Sequence, residues 1–247
     1  MHHDSRVKAW LEALEGRHLS DLTPSEVARA LRALSSCYVE RRSKLARGGA
    51  LDSAGKRAAF ALFYAPLHYL VISEVVQALP PTSLSDVLDL GCGTGAAGAA
   101  WAIAAGASKI AGIDRNGWAV AEASWTYRQF GLRGRASHGD VARARLRGEN
   151  GQGILAAYTV NELPDGARAP VLAALMEAAS RGAHVLIVEP IARRMSAWWG
   201  TWERTFTAAG GRSDEWRFPA TLPERQQGLA RAAGLNPREL TARSLWI

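Results

Sequence analysis

The spacing of apolar positions changes near residue 80. Before that point they recur at helical intervals: Leu11, Leu14 and Leu19, then Val27, Ala30, Leu31 and Leu34, then a strongly apolar stretch from Phe60 to Leu79. The segment Thr23-Pro24-Ser25-Glu26 reads as a helix start, with Thr23 as N-cap, Pro24 in first position and Glu26 closing a capping box. Pro66 predicts a kink in the third helix. After Pro80-Pro81-Thr82 the pattern becomes short apolar runs separated by helical stretches. Strands are predicted at 86–90, 109–113, 135–138, 154–160, 184–188 and 240–246. Between them fall a helix around Trp118 and Trp125, another over 167–180, a tryptophan-rich one (Trp198, Trp199, Trp202, Phe206) and a last one over 224–233. Such alternation implies a mostly parallel sheet with helices on both faces, an α/β sandwich over residues 81–247 preceded by a helical cap over 1–80.

In parallel sheets of this kind a ligand sits outside the carboxyl ends of the strands, and here those ends are polar. The first strand runs into Asp89-Leu90-Gly91-Cys92-Gly93-Thr94-Gly95 and then a small-residue helix. Gly91, Gly93 and Gly95 let a ligand approach backbone N–H groups with no Cβ in the way. A similar turn holds the pyrophosphate of dinucleotides, and Gly91, Gly93 and Ala96 make a relaxed form of that fingerprint. Asp89 argues against it, because a carboxylate beside the turn repels a pyrophosphate and attracts a cation. Asp114 ends the second strand, 23 positions after Gly91, where an acid binds ribose hydroxyls in dinucleotide folds. Asp140 follows the third strand, either as a ligand residue or as the N-cap of what begins at Val141. Asn161 and Glu162 follow the fourth; Glu162 reads as a base or as a cap.

The string Asp89-Leu90-Gly91-Cys92-Gly93-Thr94-Gly95 after an apolar strand resembles motif I of the class I S-adenosylmethionine (SAM)-dependent methyltransferases. The resemblance implies a seven-stranded, mostly parallel, Rossmann-like sandwich and SAM as cofactor. It places Asp89, Gly91, Gly93, Gly95 and Tyr158 at the cofactor, with Asp114 on the ribose and Asp140 on the adenine amino group. The segment Ala157 to Pro164 would face the transferred methyl, making Asn161 and Glu162 the candidate catalytic residues. The polar-Pro-Pro-aromatic string of many base-amine methyltransferases is absent there. Methyl transfer onto an acceptor is an in-line displacement on an activated sulfonium, so alignment supplies most of the rate and no base is required.

A second resemblance is narrower. Tyr64-Ala65-Pro66-Leu67-His68-Tyr69, the Tyr158 to Pro164 string, Val185 to Pro190 and Ser213 to Phe218 together look like the methyltransferase-like proteins of the mitochondrial small ribosomal subunit and their bacterial relatives. That family carries late cysteines that resemble iron–sulfur or zinc ligands. This chain has two cysteines, Cys37 and Cys92, and none after Cys92, so no metal or cluster is expected.

The net charge of +7 and pI of 9.9 suit an anionic partner such as RNA or a ribosomal surface. Arginine supplies nearly all of it, as the chain has four lysines, and a GC-rich genome, which arginine and alanine together mark, gives the same balance. The start is polar and no signal-like core follows it, which with the cysteine usage reads as a cytoplasmic protein; no membrane association is expected. Three functions follow: methylation of RNA or a ribosomal component, methylation of a small molecule under the helical cap, or a SAM-binding assembly factor without turnover. Arg41, Arg42, Lys44 and Arg47 are the cations expected on the path of an RNA acceptor.

Overall fold

The computed structural model describes residues 5–40, 51–191 and 196–247, except for the side chains of 36–40. The chain divides into two units. One holds the residues up to Leu70 together with Pro219–Leu240; the other holds Val71–Phe218 and Thr241–Ile247.

The first unit is helical: α1 (Ser5–His18), α2 (Pro24–Glu40), the start of α3 (Ala54–Ala78) and, from the far end of the chain, α8 (Glu224–Ala232). Helix α2 opens with the expected capping box: Thr23 N donates to Glu26 Oε2 at 2.8 Å, and Glu26 N to Thr23 Oγ1 at 3.4 Å. Trp10 and Leu14 of α1 are buried, as are Val27, Leu31 and Leu34 of α2. Helix α3 is long and apolar enough to cross a membrane by length and composition, and two-thirds of its most apolar window is buried inside the protein.

Pro66 acts differently from the expected kink. The helix widens ahead of it into a π turn over Phe60–Tyr64, in which Ala65 N donates to Phe60 O. Pro66 has no N–H to offer the carbonyl of Leu62 four residues earlier. The side chain of Gln226, on α8, takes over: its Nε2 donates to Leu62 O at 3.1 Å, and Gln226 is 2% exposed. Residues 219–240 therefore join the N-terminal helices through a hydrogen bond that the proline makes necessary.

The second unit contains a seven-stranded sheet: β1 (Asp86–Leu90), β2 (Lys109–Asp114), β3 (Arg133–His138), β4 (Gln152–Ala157), β5 (His184–Glu189), β6 (Arg212–Pro219) and β7 (Glu239–Trp246), in the order β3-β2-β1-β4-β5-β7-β6. Strands β1 to β5 pair in parallel, and β7 lies antiparallel to β5, with Glu189 opposite Arg243. One face carries α4 (Ala96–Ala104) and α5 (Gly117–Gln129): Asp89 meets Gly98 there, and a Cβ on Gly112 would lie 2.6 Å from the Tyr127 hydroxyl. The other face carries α6 (Asp165–Ser180) and α7 (Trp199–Ala208), whose Val171, Leu175, Trp199, Trp202 and Phe206 pack with Leu90, Ile154 and Ile187. The chain reverses its direction of winding between β1 and β4, where parallel sheets open a crevice for ligands.

Strand β6 goes beyond the sequence reading. It is an edge strand with alternating half-buried positions; Trp216 stacks on Phe218 and donates its Nε1 to Ser244 Oγ at 2.8 Å.

Replacing Gln226 with Leu strands the Leu62 carbonyl, and urea unfolding should show a loss of about 1–3 kcal/mol. In a Pro66→Ala background the helix regains its own N–H, and the same substitution should cost clearly less. Equal costs in the two backgrounds would show that Gln226 acts through packing alone.

Candidate functional site at the carboxyl edge of the sheet

The turn after β1 is fixed from both sides. Gly91, Gly93 and Gly95 have φ of +66°, +52° and +78°. Gly91 N and Cys92 N both donate to Ile113 O, at 2.8 and 3.0 Å, and Gly93 N donates to Asp114 Oδ2 at 2.9 Å, so β2 holds one side. On the other side Thr159, just past β4, is 7% exposed and sets its Oγ1 3.0 Å from Leu90 O. A Cβ on Gly91 would run into the Thr159 side chain. Gly95 begins α4, and a Cβ there would lie 2.7 Å from Tyr127 Cε1 and 2.9 Å from the Ala123 Cα. These contacts, together with the left-handed backbone, explain the glycines without appeal to a ligand.

The acids predicted from sequence gather at this edge. Asp89 is 1% exposed and lies behind the turn, with Oδ2 accepting from Gly98 N at 3.2 Å. Burial, with Asp114 adding, pushes its carboxyl up to about 7. Asp89 therefore acts on the rim through its field and its support of α4. Asp114 is half-buried and doubly engaged, by Gly93 N and by Asn116 N at 2.8 Å to Oδ1. Asp140 takes the N-cap role: its Oδ1 accepts from Ala142 N at 3.0 Å and starts a short 3₁₀ turn, Val141–Arg143.

The other half of the rim follows β4. Tyr158 is half-buried, with φ +59° and its N–H on Val188 O at 2.8 Å. Burial, then the nearby Glu189, pushes its phenol well up, so it remains protonated. Asn161 is committed on every side. Its Nδ2 donates to Glu189 Oε2 at 2.6 Å and its N–H to Glu189 Oε1 at 3.0 Å; its Oδ1 accepts from Ser196 Oγ at 2.7 Å and Trp198 Nε1 at 2.9 Å. Arg168 Nε donates to Val160 O at 3.1 Å. Asn161 thus positions the segment it belongs to. Glu162 is exposed in the turn Val160–Glu162 and does not cap α6, whose N-cap is Pro164.

Sequence reasoning passed over Glu189, 1% exposed and pushed up to about 7 chiefly by burial. It also passed over Thr159. A carboxylate ending a wholly apolar strand, as in Val185-Leu186-Ile187-Val188-Glu189, was the available signal for Glu189. Nothing in the string marks Thr159.

Residues 87–182 match a family model described as a methyltransferase domain. No curated protein matches the chain. The structure is similar to the methyltransferase domain of bacterial CtHen1, at 14% identity over 73% of this chain and 98% of that one, with a TM-score of 0.51. It is also similar to a candidate O-methyltransferase from Nostoc punctiforme, at 13% identity over 88% of this chain and 72% of that one, with a TM-score of 0.55. Strand order, glycine turn and family match together define a class I SAM-dependent methyltransferase domain. The chain is accordingly an enzyme of methyl transfer, with SAM as its cofactor. The residues fit that cofactor: the glycine turn carries no side chain at positions 91, 93 and 95, and the half-buried Asp114, with Asp89 behind it, gives the rim a negative field that favours a cationic ligand.

A bound cation favours the ionised form of Asp89. Affinity for S-adenosylmethionine should rise with pH through about 7 and then level off. Calorimetry at pH 6 and pH 8 checks this, and Asp89→Asn should remove the dependence. A flat profile in the unsubstituted protein would show that Asp89 does not sense the ligand.

Proposed function

We propose that the chain transfers the SAM methyl to RNA, with an RNA of the small ribosomal subunit as the favoured acceptor. The observation that carries this reading is the fate of the tryptophans. Enclosing a small-molecule acceptor would call for free aromatic faces, yet Trp198, Trp199 and Trp202 are 9%, 7% and 2% exposed and belong to the core under α7. Trp198 spends its indole N–H on Asn161, and Arg243 stacks on Trp199 with Cζ 4.0 Å from the ring centre. They are packing residues, which leaves the basic exterior as the recognition chemistry. Arg41, Arg42, Lys44 and Arg47 lie outside the described residues.

SAM, when bound, supplies a methyl already activated on a sulfonium. The protein's part is to hold the rim still and align the acceptor. Thr159, Asn161 and Glu189 fix the chain on both sides of Tyr158. The protonated phenol of Tyr158 is a hydrogen-bond donor rather than a base. Methylation of an RNA group with a free lone pair needs no more.

Incubation with methyl-labelled SAM and a ribosomal RNA pool should place label in an RNase-sensitive, acid-insoluble fraction. Glu189→Gln, which loosens the Asn161 clamp, should lower kcat about tenfold or more while SAM affinity stays within about twofold. Label recovered only in acid-soluble metabolites would favour a small acceptor, and SAM binding without transfer to either pool would favour the assembly-factor reading.

A further inference from the structure

The basic charge of the second unit is concentrated on one stretch of chain. Between residues 128 and 147 stand six arginines and one acid, Asp140, which caps its own turn. Strand β3 is one of the two edges of the sheet, and its Arg133 and Arg135 are exposed. The parallel register sets Arg133 beside Lys109 and Arg135 beside Ala111, both exposed on β2. Ile113, in line with Lys109 and Ala111, packs with the core under α6 and α7, so these cations lie on that face of the sheet.

The chain then extends across the same face. Val141, Ala142, Ala144 and Leu146 pack on that core, and Arg143, Arg145 and Arg147 alternate with them and are exposed. Arg143 ends the 3₁₀ turn and Ala144 is extended; in extended backbone alternate residues repeat every ~7 Å. Among these cations, Arg133 donates Nη2 to Ser108 Oγ at 3.0 Å, a neutral partner that leaves its charge uncompensated. Lys109 and Arg133 sit on adjacent strands ~4.8 Å apart, and like charges so placed weaken the pairing they decorate.

We propose that Lys109, Arg133, Arg135, Arg143, Arg145 and Arg147 form a phosphate-binding track that holds a single-stranded RNA along the β3 edge. The inference rests on the reading of the protein as an RNA methyltransferase and says where that RNA is gripped. Guanidinium groups suit phosphate through paired N–H donors, and contacts of this type are independent of base sequence. Charge on an edge strand also keeps it from pairing with another chain, a role glutamate would fill equally well. Charge reversal therefore separates the two explanations.

The test measures binding of the full chain to a fluorescent 20-nucleotide oligouridine over a range of salt. Six phosphate contacts predict a slope of log K against log salt of about −4. Changing Arg133, Arg135, Arg143, Arg145 and Arg147 to Gln should flatten the slope to about −1 and weaken binding at 100 mM salt at least thirtyfold, with SAM affinity unchanged. The five Arg→Glu changes should abolish RNA binding yet leave the oligomeric state of the parent unchanged, and the five Arg→Lys changes should keep most of the slope. If the fivefold variant fails to bind SAM, the Arg143→Gln, Arg145→Gln, Arg147→Gln triple, which leaves β3 untouched, should still weaken RNA binding about tenfold. Affinity within twofold of the parent in the Gln variants would overturn the track. RNA methylated at the parent's rate by the fivefold variant would overturn it too, while sparing the RNA acceptor. RNA bound through these arginines but never labelled would sustain the track and sink the acceptor reading.

Discussion

The hydroxyl of Thr159, 3.0 Å from the carbonyl of Leu90, ties together the two strands between which the sheet reverses its winding. Strands β1 and β4 are neighbours through the sheet, but beyond their last paired residues the chains diverge, one into the glycine turn and the other toward Tyr158. Thr159 closes that fork: its hydroxyl lies within reach of Leu90 O, Gly91 O and, at 3.1 Å, Ala157 O. Its side chain fills the space a Cβ on Gly91 would need. The glycine at position 91 and the threonine at 159 are therefore one feature, and the two halves of the rim are held in register by it.

Each half is backed by one buried carboxylate. Asp89 stands behind the glycine turn and Glu189 behind Asn161, each 1% exposed. Burying a carboxylate opposes folding unless hydrogen bonds offset it, and the raised pKa of both groups records that the offset is partial. The sign follows. An acid whose folded pKa lies above its unfolded value adds stability that is greatest at low pH and lost as pH rises through the folded value, here from about 4 to about 7. A core of hydrocarbon at these positions would be more stable. The carboxylates hold backbone N–H groups at the start of α4 and after β4: Gly98 N from Asp89, Asn161 N from Glu189.

Much of this was legible in the sequence. The strand at 86–90 and the glycine turn stand as read, because apolar residues bounded by a fixed turn have one way to form. The capping box at Thr23 and Glu26 is equally local. What escaped was long-range or compensatory. Strand β6 reads as polar because an edge strand buries only part of each side chain, and its Trp216 is explained by Ser244, 28 residues on. Pro66 reads as a kink because the donor that replaces its missing N–H is Gln226, far down the chain. Asn161 reads as a catalytic candidate because a polar residue at a strand end is ambiguous until its four hydrogen bonds are seen. The alternation of arginine with apolar residues over 141–147 was visible, but only register with β2 and β3 shows that the charges share a face.

Tyr158 shows why the rim is built so tightly. Among the described residues it alone, other than glycine, has positive φ, a conformation costing about 1–2 kcal/mol for a residue with a side chain. Asparagine or glycine would hold that backbone with less strain. The tyrosine persists there because its neighbours leave it no choice: Thr159 is bound to β1, Asn161 to Glu189, and the tyrosine's own N–H to Val188. Strain held this way is a property of the surroundings rather than of the residue. Its visible effect is on the backbone, which leaves the line of β4 at the strand's carboxyl end. The buried acids, the threonine tie and the asparagine clamp are then parts of a single device. They spend stability in the core to hold the rim of the sheet in one arrangement.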